Sequence, residues 1–224
     1  MTADEVIDQA LARCTDLGAT VPITRSVCYT RLTTRESQLF ARAAAVHPEY
    51  FGVTTTAAIV GGLVNLLNFV PRVERVVEVR VAAGTGLPVG AVVNLVPIDD
   101  VDAMLAPRAT IRNGQIKGVG TDLAGVTSLT IHYARRGGAA PMTGTTVPEL
   151  PDQFLDLLVL DLARYMIAKL LDMDAARREG WLGLLTAEEQ GLLGTFDEHI
   201  RHFIGPEQRR FRGPGAPPPG GDNG

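Results

Sequence analysis

Residues 148–173 read PELPDQFLDLLVLDLARYMIAKLLDM, from Pro148 to Met173. Pro151 and Asp152 suit a helix start, where proline needs no backbone N–H and a carboxylate meets the positive end of the dipole. The run that follows is too long for a buried strand and lacks a strand's alternation. At about 100° per residue, Gln153, Asp156, Asp161, Arg164, Lys169 and Asp172 scatter around the helix instead of sharing a stripe. Apolar residues fill most of the remaining perimeter. A membrane span does not fit, because each internal charge would cost roughly 2.5–3.5 kcal/mol near the bilayer centre. Two arrangements are open: a central helix wrapped by its own bundle, or a helix packed partly on neighbouring subunits.

Working outward, three segments carry a capping-box pattern: Thr2–Glu5, Thr33–Glu36 and Thr186–Glu189. In that motif Thr and Glu satisfy each other's free backbone N–H groups. The pattern predicts helices from about residue 3 to Leu17, from Thr34 to Val46, and from Ala187 to Phe203. The second ends before His47-Pro48, since the residue preceding proline avoids helical backbone. A short helical turn is expected around Asp174–Gly180.

Between the second and the central helix the texture turns to strands. RVERVVEVRV (Arg72–Val81), AVVNLVP (Ala91–Pro97) and TSLTIHYA (Thr127–Ala134) are rich in β-branched residues. The last alternates, with Leu129, Ile131 and Tyr133 on one face. In RATIRNGQIKGV (Arg108–Val119), Asn113-Gly114 separates two short runs, a strong hairpin signal. The fold class is therefore α+β: a discontinuous helical bundle with a β-rich insertion and a flexible C-terminal arm. The division is 1–70 helical, 71–147 β-rich insertion and connector, 148–205 helical, and 206–224 arm. The arm, basic and then Pro/Gly-rich, cannot build a core.

Several function classes are disfavoured. A net charge of −4 and a pI near 5.6 do not suit a general nucleic-acid binder, and 5% aromatics are few for base stacking. Cys14 and Cys28 form no metal motif or disulfide framework and read as buried thiols. The opening MTADEVIDQA lacks the basic and apolar regions of a signal peptide. Gly84-x-Gly86 and Gly118-x-Gly120 do not complete a dinucleotide-binding fingerprint. Asp99, Asp100 and Asp102 form the densest acidic cluster. They could hold Mg²⁺ or Ca²⁺, although the twelve-residue calcium loop is missing. His199 and His202 could share a helix face but lack further zinc ligands, and His132 and His47 have no visible catalytic partner. No catalytic residue, cofactor site or metal site is assigned. Arg209, Arg210 and Arg212, with Phe211 among them, are candidate partner-binding residues.

The segments YTRLTTRESQLFARAAAVHPEYFG (Tyr29–Gly52), VNLVPIDDVDAMLAPRATIRNGQIKGVGTDLAGVTSLTIHYARR (Val93–Arg136) and Pro148–Met173, in that order, resemble the head-to-tail adaptors (connectors) of tailed bacteriophages. The resemblance implies a virion structural protein with no cofactor, assembled in the host bacterial cytoplasm as a ring under the portal. Its partners would be its own copies, the portal protein and tail proteins, with genome DNA passing through without sequence-specific contact and no membrane. It implies that residues 206–224 dock on the portal, with Arg209, Arg210, Phe211 and Arg212 as anchors. A ring subunit would bury the central helix on its own bundle and present further apolar surface to its neighbours. The alternatives are another tail-completion or virion binding module, or a metal-dependent enzyme using the Asp99–Asp102 loop.

Overall fold

The computed structural model describes residues 1–16, 23–97, 107–137, 141–170 and 173–203. Among the described residues, four helices make one core. Helix α1 (Ala3–Thr15) starts at its capping box: the Glu5 N–H donates to Thr2 Oγ1, and the Thr2 N–H donates to Glu5 Oε2. It buries Val6, Ile7, Ala10 and Cys14. Helix α3 (Asp156–Ala168) follows a single 3-10 turn at Asp152–Phe154. Its residues Leu157 to Ala163 are all buried, as are Met166 and Ile167. Helices α1, α2 (Arg25–Val46) and α4 (Ala175–Arg201) surround it. The central helix is thus wrapped by its own chain, and its apolar perimeter needs no neighbouring subunit.

Two helix starts differ from expectation. Helix α2 begins at Arg25, so Thr33 lies inside it. The Thr33 hydroxyl donates to the Tyr29 carbonyl one turn back (2.9 Å), the local bond that lets threonine sit mid-helix. Helix α4 is continuous from Ala175, capped by Asp174, whose carboxylate accepts from the Arg177 N–H. The turn around Asp174–Gly180 and the helix expected from Ala187 are therefore one element, with Thr186 in its interior. Neither Thr-x-x-Glu pair caps a helix, because each Glu is bonded elsewhere. Glu36 accepts from the Glu149 N–H (2.6 Å), and Glu189 pairs with arginines of α2 and α3.

Among the described residues, seven strands make a second core: β1 (Gly52–Ala58), β2 (Leu63–Asn65), β3 (Val73–Gly84), β4 (Asn94–Leu95), β5 (Arg108–Arg112), β6 (Gln115–Gly118) and β7 (Val126–Arg135). They form sheets β1-β7-β3 and β2-β6-β5-β4, antiparallel except for β4–β5. Strand content begins at Gly52, inside the segment 1–70 expected to be helical. The β-branched run GVTTTAA explains this, since such side chains favour a pleated, half-buried surface. Leu129, Ile131 and Tyr133 are fully buried beside Val79, Val81, Ala109 and Ile116. Asn113 (φ 51°) and Gly114 (φ 70°) make the expected hairpin turn between β5 and β6.

Among the described residues, backbone hydrogen bonds join the two sheets along one side. The Val81 N–H donates to Ala91 O and the Val93 N–H to Val79 O, while the Asn94 and Val96 N–H groups reach Pro107 O and Ala109 O. Residues 91–96 thereby bridge β3 to β5. On the other side β1 and β2 share only the turn closed by Val60 and Leu63. The β unit is a barrel with one open seam.

At the junction of the two units, Phe40 of α2 stacks on Phe51 with centroids 3.7 Å apart. The Arg135 guanidinium covers both rings and pairs with Glu149. Gly137 lies against Phe40, where a Cβ would come within 2.5 Å of the ring. Both chain crossings between the units are thus fixed by packed side chains.

Candidate functional site

Charge inside the helical unit is concentrated at one place. Asp161 on α3 is 1% exposed, yet a carboxylate buried alone would be very costly. It accepts two 2.7 Å bonds from Arg31 of α2 and lies within 3.8 Å of Arg35 and 3.7 Å of Arg164. Glu189 of α4, also buried, pairs with both Arg35 and Arg164. Five side chains thus lock three helices in one register. Arg35 Nε is buried without a hydrogen-bond partner. Outside the network, Arg42 ties α2 to Asp197 of α4 through two bonds of 2.6–2.7 Å. The Arg42 hydrogen bonds hold the Asp197 carboxyl below the usual carboxylate range.

A concavity of about 730 Å³ lies on the β unit between β3, β7 and residues 92–95. Its polar groups are Glu49, Thr54, Glu78, Arg80, Asn94, Thr130 and His132. His132 Nδ1 is 2.9 Å from the Thr54 hydroxyl. The other side of the ring packs on Gly52, whose missing Cβ makes room for it. Among the described residues no carboxylate hydrogen-bonds His132, so a base with an orienting acid is not assembled there. Glu78 and Arg80 pair with each other at 2.8–2.9 Å.

A third surface is apolar. Beside the open seam, Val60, Leu67 and Val70 are 72%, 70% and 91% exposed. The groove between β1 and residues 63–70 is lined only by uncharged residues.

His47 and His199 belong to one aromatic cluster, joined through Phe203 and Tyr50. His199 meets the rings of Tyr50 and Phe154, whereas His202 Nδ1 lies 2.8 Å from the Glu198 carbonyl. His47 packs on Phe203. Gly84 at the end of β3, Gly86 in the bend after it and Gly120 in a turn have positive φ, and Gly118 closes β6. Burial pushes the Cys14 thiol up to about 11 and raises that of Cys28, the opposite of an activated nucleophile. Among the described residues no cluster of His, Cys, Asp or Glu could hold a metal ion, and no helix is long and apolar enough to cross a membrane. Asp99, Asp100 and Asp102, and Arg209, Arg210, Phe211 and Arg212, lie outside the described residues.

The charge network is invisible to motif reading, since Arg31 and Asp161 are 130 positions apart. The one available signal was Asp161 set between the apolar runs Leu157–Leu160 and Leu162–Ala163, a carboxylate that demands a cationic partner if it is buried. Comparison with known protein families and with curated proteins finds no match for this chain.

Proposed function

We propose that this chain is a structural protein of the tailed-bacteriophage virion: a head-to-tail adaptor that assembles as a ring under the portal and joins the capsid to the tail. The observation that carries this reading is the layout. A self-contained four-helix core is interrupted between α2 and α3 by a β unit, and packed aromatic and charged side chains hold the two crossings rigid. That order of helices, insertion and trailing segment is the order that adaptors resemble. The concentrations of polar groups add support. One is spent on helix register, and the other pairs His132 with a threonine and no acid. Both suit a scaffold better than a reaction centre.

In this reading the portal, tail proteins and neighbouring copies are the partners. Arg209, Arg210, Phe211 and Arg212 anchor the arm on the portal through bidentate guanidinium bonds and one apolar contact. The test is a pull-down with cognate portal rings, using the full chain and a form ending at residue 205. The full chain is expected to bind and to add a ring of density beneath the portal in electron micrographs. The shortened form should fold as before, since the described cores end by Phe203, but bind more weakly. No binding by the full chain refutes the adaptor. Equal binding by both forms refutes only the anchoring role of the arginines.

A further inference from the structure

Strand β1 has one bonded side and one open side. The Ile59 N–H donates to Thr127 O, and the Arg135 N–H donates to Phe51 O, so the odd-numbered positions face β7. Antiparallel alternation then turns the N–H and C=O groups of Thr54, Thr56 and Ala58 outward. No other described strand pairs with them.

The two edges of this sheet are built differently. Strand β3 carries Glu74, Arg75, Glu78 and Arg80, and its register on β7 is broken by irregularities. Its middle is further covered by residues 91–93. Charges, bulges and covering are the usual protections against edge pairing. Strand β1 has none of them. GVTTTAA is uncharged and free of proline, and it keeps an unbroken register from Gly52↔Ala134 to Ala58↔Ser128.

We propose that the free edge of β1 pairs with the same edge of a second copy of this chain, antiparallel about a two-fold axis at Thr56. An uncharged edge can meet its own copy without opposing like charges, and Thr–Thr cross-strand pairs are favourable. Setting Thr56 opposite its counterpart and Thr54 opposite Ala58 engages every outward group of both strands. The groove beside β1 is uncharged, with Val60 exposed at its end and Val70 on its far side. It would strip water from a charged strand without returning a partner. A two-fold contact closes on itself and builds no ring, so this is a state of the free protein and does not depend on the adaptor reading.

The experiment is light scattering on the full chain across a concentration series, with Thr56→Lys and Thr56→Cys variants. The wild type is expected to run as a concentration-dependent dimer. Thr56→Lys opposes two ammonium groups across the axis and should raise the dimer Kd by about tenfold or more. Under mild oxidation Thr56→Cys should crosslink two chains, because paired Cα atoms about 5.5 Å apart accommodate a disulfide. Thr130→Cys, on the same face but one strand in, should not. A wild type that is monomeric at every concentration overturns the proposal, as does a dimer indifferent to Thr56→Lys. Equal crosslinking at Thr56 and Thr130 would also overturn it. A monomer that still forms rings on portals leaves the adaptor standing, whereas a β1-dependent dimer that ignores portals does the reverse.

Discussion

Replacing Asp161 by Asn removes the charge at the centre of the helical unit while keeping its shape, so no cavity confuses the result. The carboxylate holds Arg31 through two bonds and balances Arg35 and Arg164 at 3.7–3.8 Å. After substitution, three guanidinium groups share one carboxylate, Glu189. Removing one member of a buried ion pair costs about 3–5 kcal/mol. Here the cost is smaller, because the side chains of Arg31 and Arg164 are each 33% exposed and can rehydrate. Arg35, at 15%, has less freedom. The expected loss is therefore about 2–4 kcal/mol. For a chain of this size that is a fall of about 5–15 °C in Tm. Urea unfolding followed by the helical circular-dichroism signal measures it, with the midpoint shifting at constant slope. Joining Asp161→Leu to Arg31→Met should recover part of the loss, since well-packed apolar replacements of buried pairs are often neutral. A loss below about 1 kcal/mol, or no coupling between the two positions, would show that the network is an ornament of the helix packing.

Three further outcomes follow from the same geometry. Leu162 is fully buried, so Leu162→Asp should cost more than about 4 kcal/mol and leave no cooperative melting transition; wild-type-like melting would remove the central-helix assignment. Gly114 has φ 70°, and a Cβ there would meet the Leu67 side chain at 2.8 Å. Gly114→Val should cost about 1–3 kcal/mol and speed amide exchange in β5 and β6 while α1 and α3 stay protected. Equal loss in both would contradict separate cores. The Asp197 carboxyl is lowered in the folded state, so its tie to Arg42 is fully present above the unfolded carboxylate pKa of about 3.9. It is lost as pH falls through the lower folded value. Asp197→Asn should therefore cost about 0.5–1 kcal/mol at pH 7, a modest figure because Arg42 is largely exposed. It should also flatten the decline in stability below about pH 4, and an unchanged acid limb would contradict the tie.

The central helix, the Asn113-Gly114 hairpin and the alternating strand β7 were legible because each is decided locally, by periodicity or by turn chemistry. The Thr2–Glu5 capping box was legible for the same reason. Two identical patterns misled, and the difference is tertiary. At Thr33 the hydroxyl bonds back to Tyr29 and accepts from the Met142 N–H, while Glu36 holds the Glu149 N–H. Both side chains anchor the chain as it returns from the β unit, a role that no local pattern encodes. Strands β1 and β2 were missed because Gly52–Asn65 is short and interrupted by Gly61-Gly62. Its strand character depends on β7 and β6, which arrive 50 or more residues later. The charge network was unreadable because its acids and bases come from three helices far apart in the chain.

Where α3 ends up also changes what an assembly of this protein must look like. Had its apolar perimeter been shared between subunits, folding and association would have been one event, as in obligate interfaces. Instead the helix buries Leu157 to Ala163 within its own chain, and a network of five charged side chains fixes its neighbours. The subunit is therefore complete on its own, and if copies of it assemble as the proposed ring, they join preformed surfaces. A ring of this kind should come apart on dilution into folded subunits with unchanged helical signal, and with a Tm lowered only by the mass-action contribution of association. Mass measurement and circular dichroism on one dilution series separate the two cases. Loss of helical signal in step with loss of mass would mean that the contacts stabilising α3 cross the subunit boundary, and the single-chain bundle would have to be abandoned.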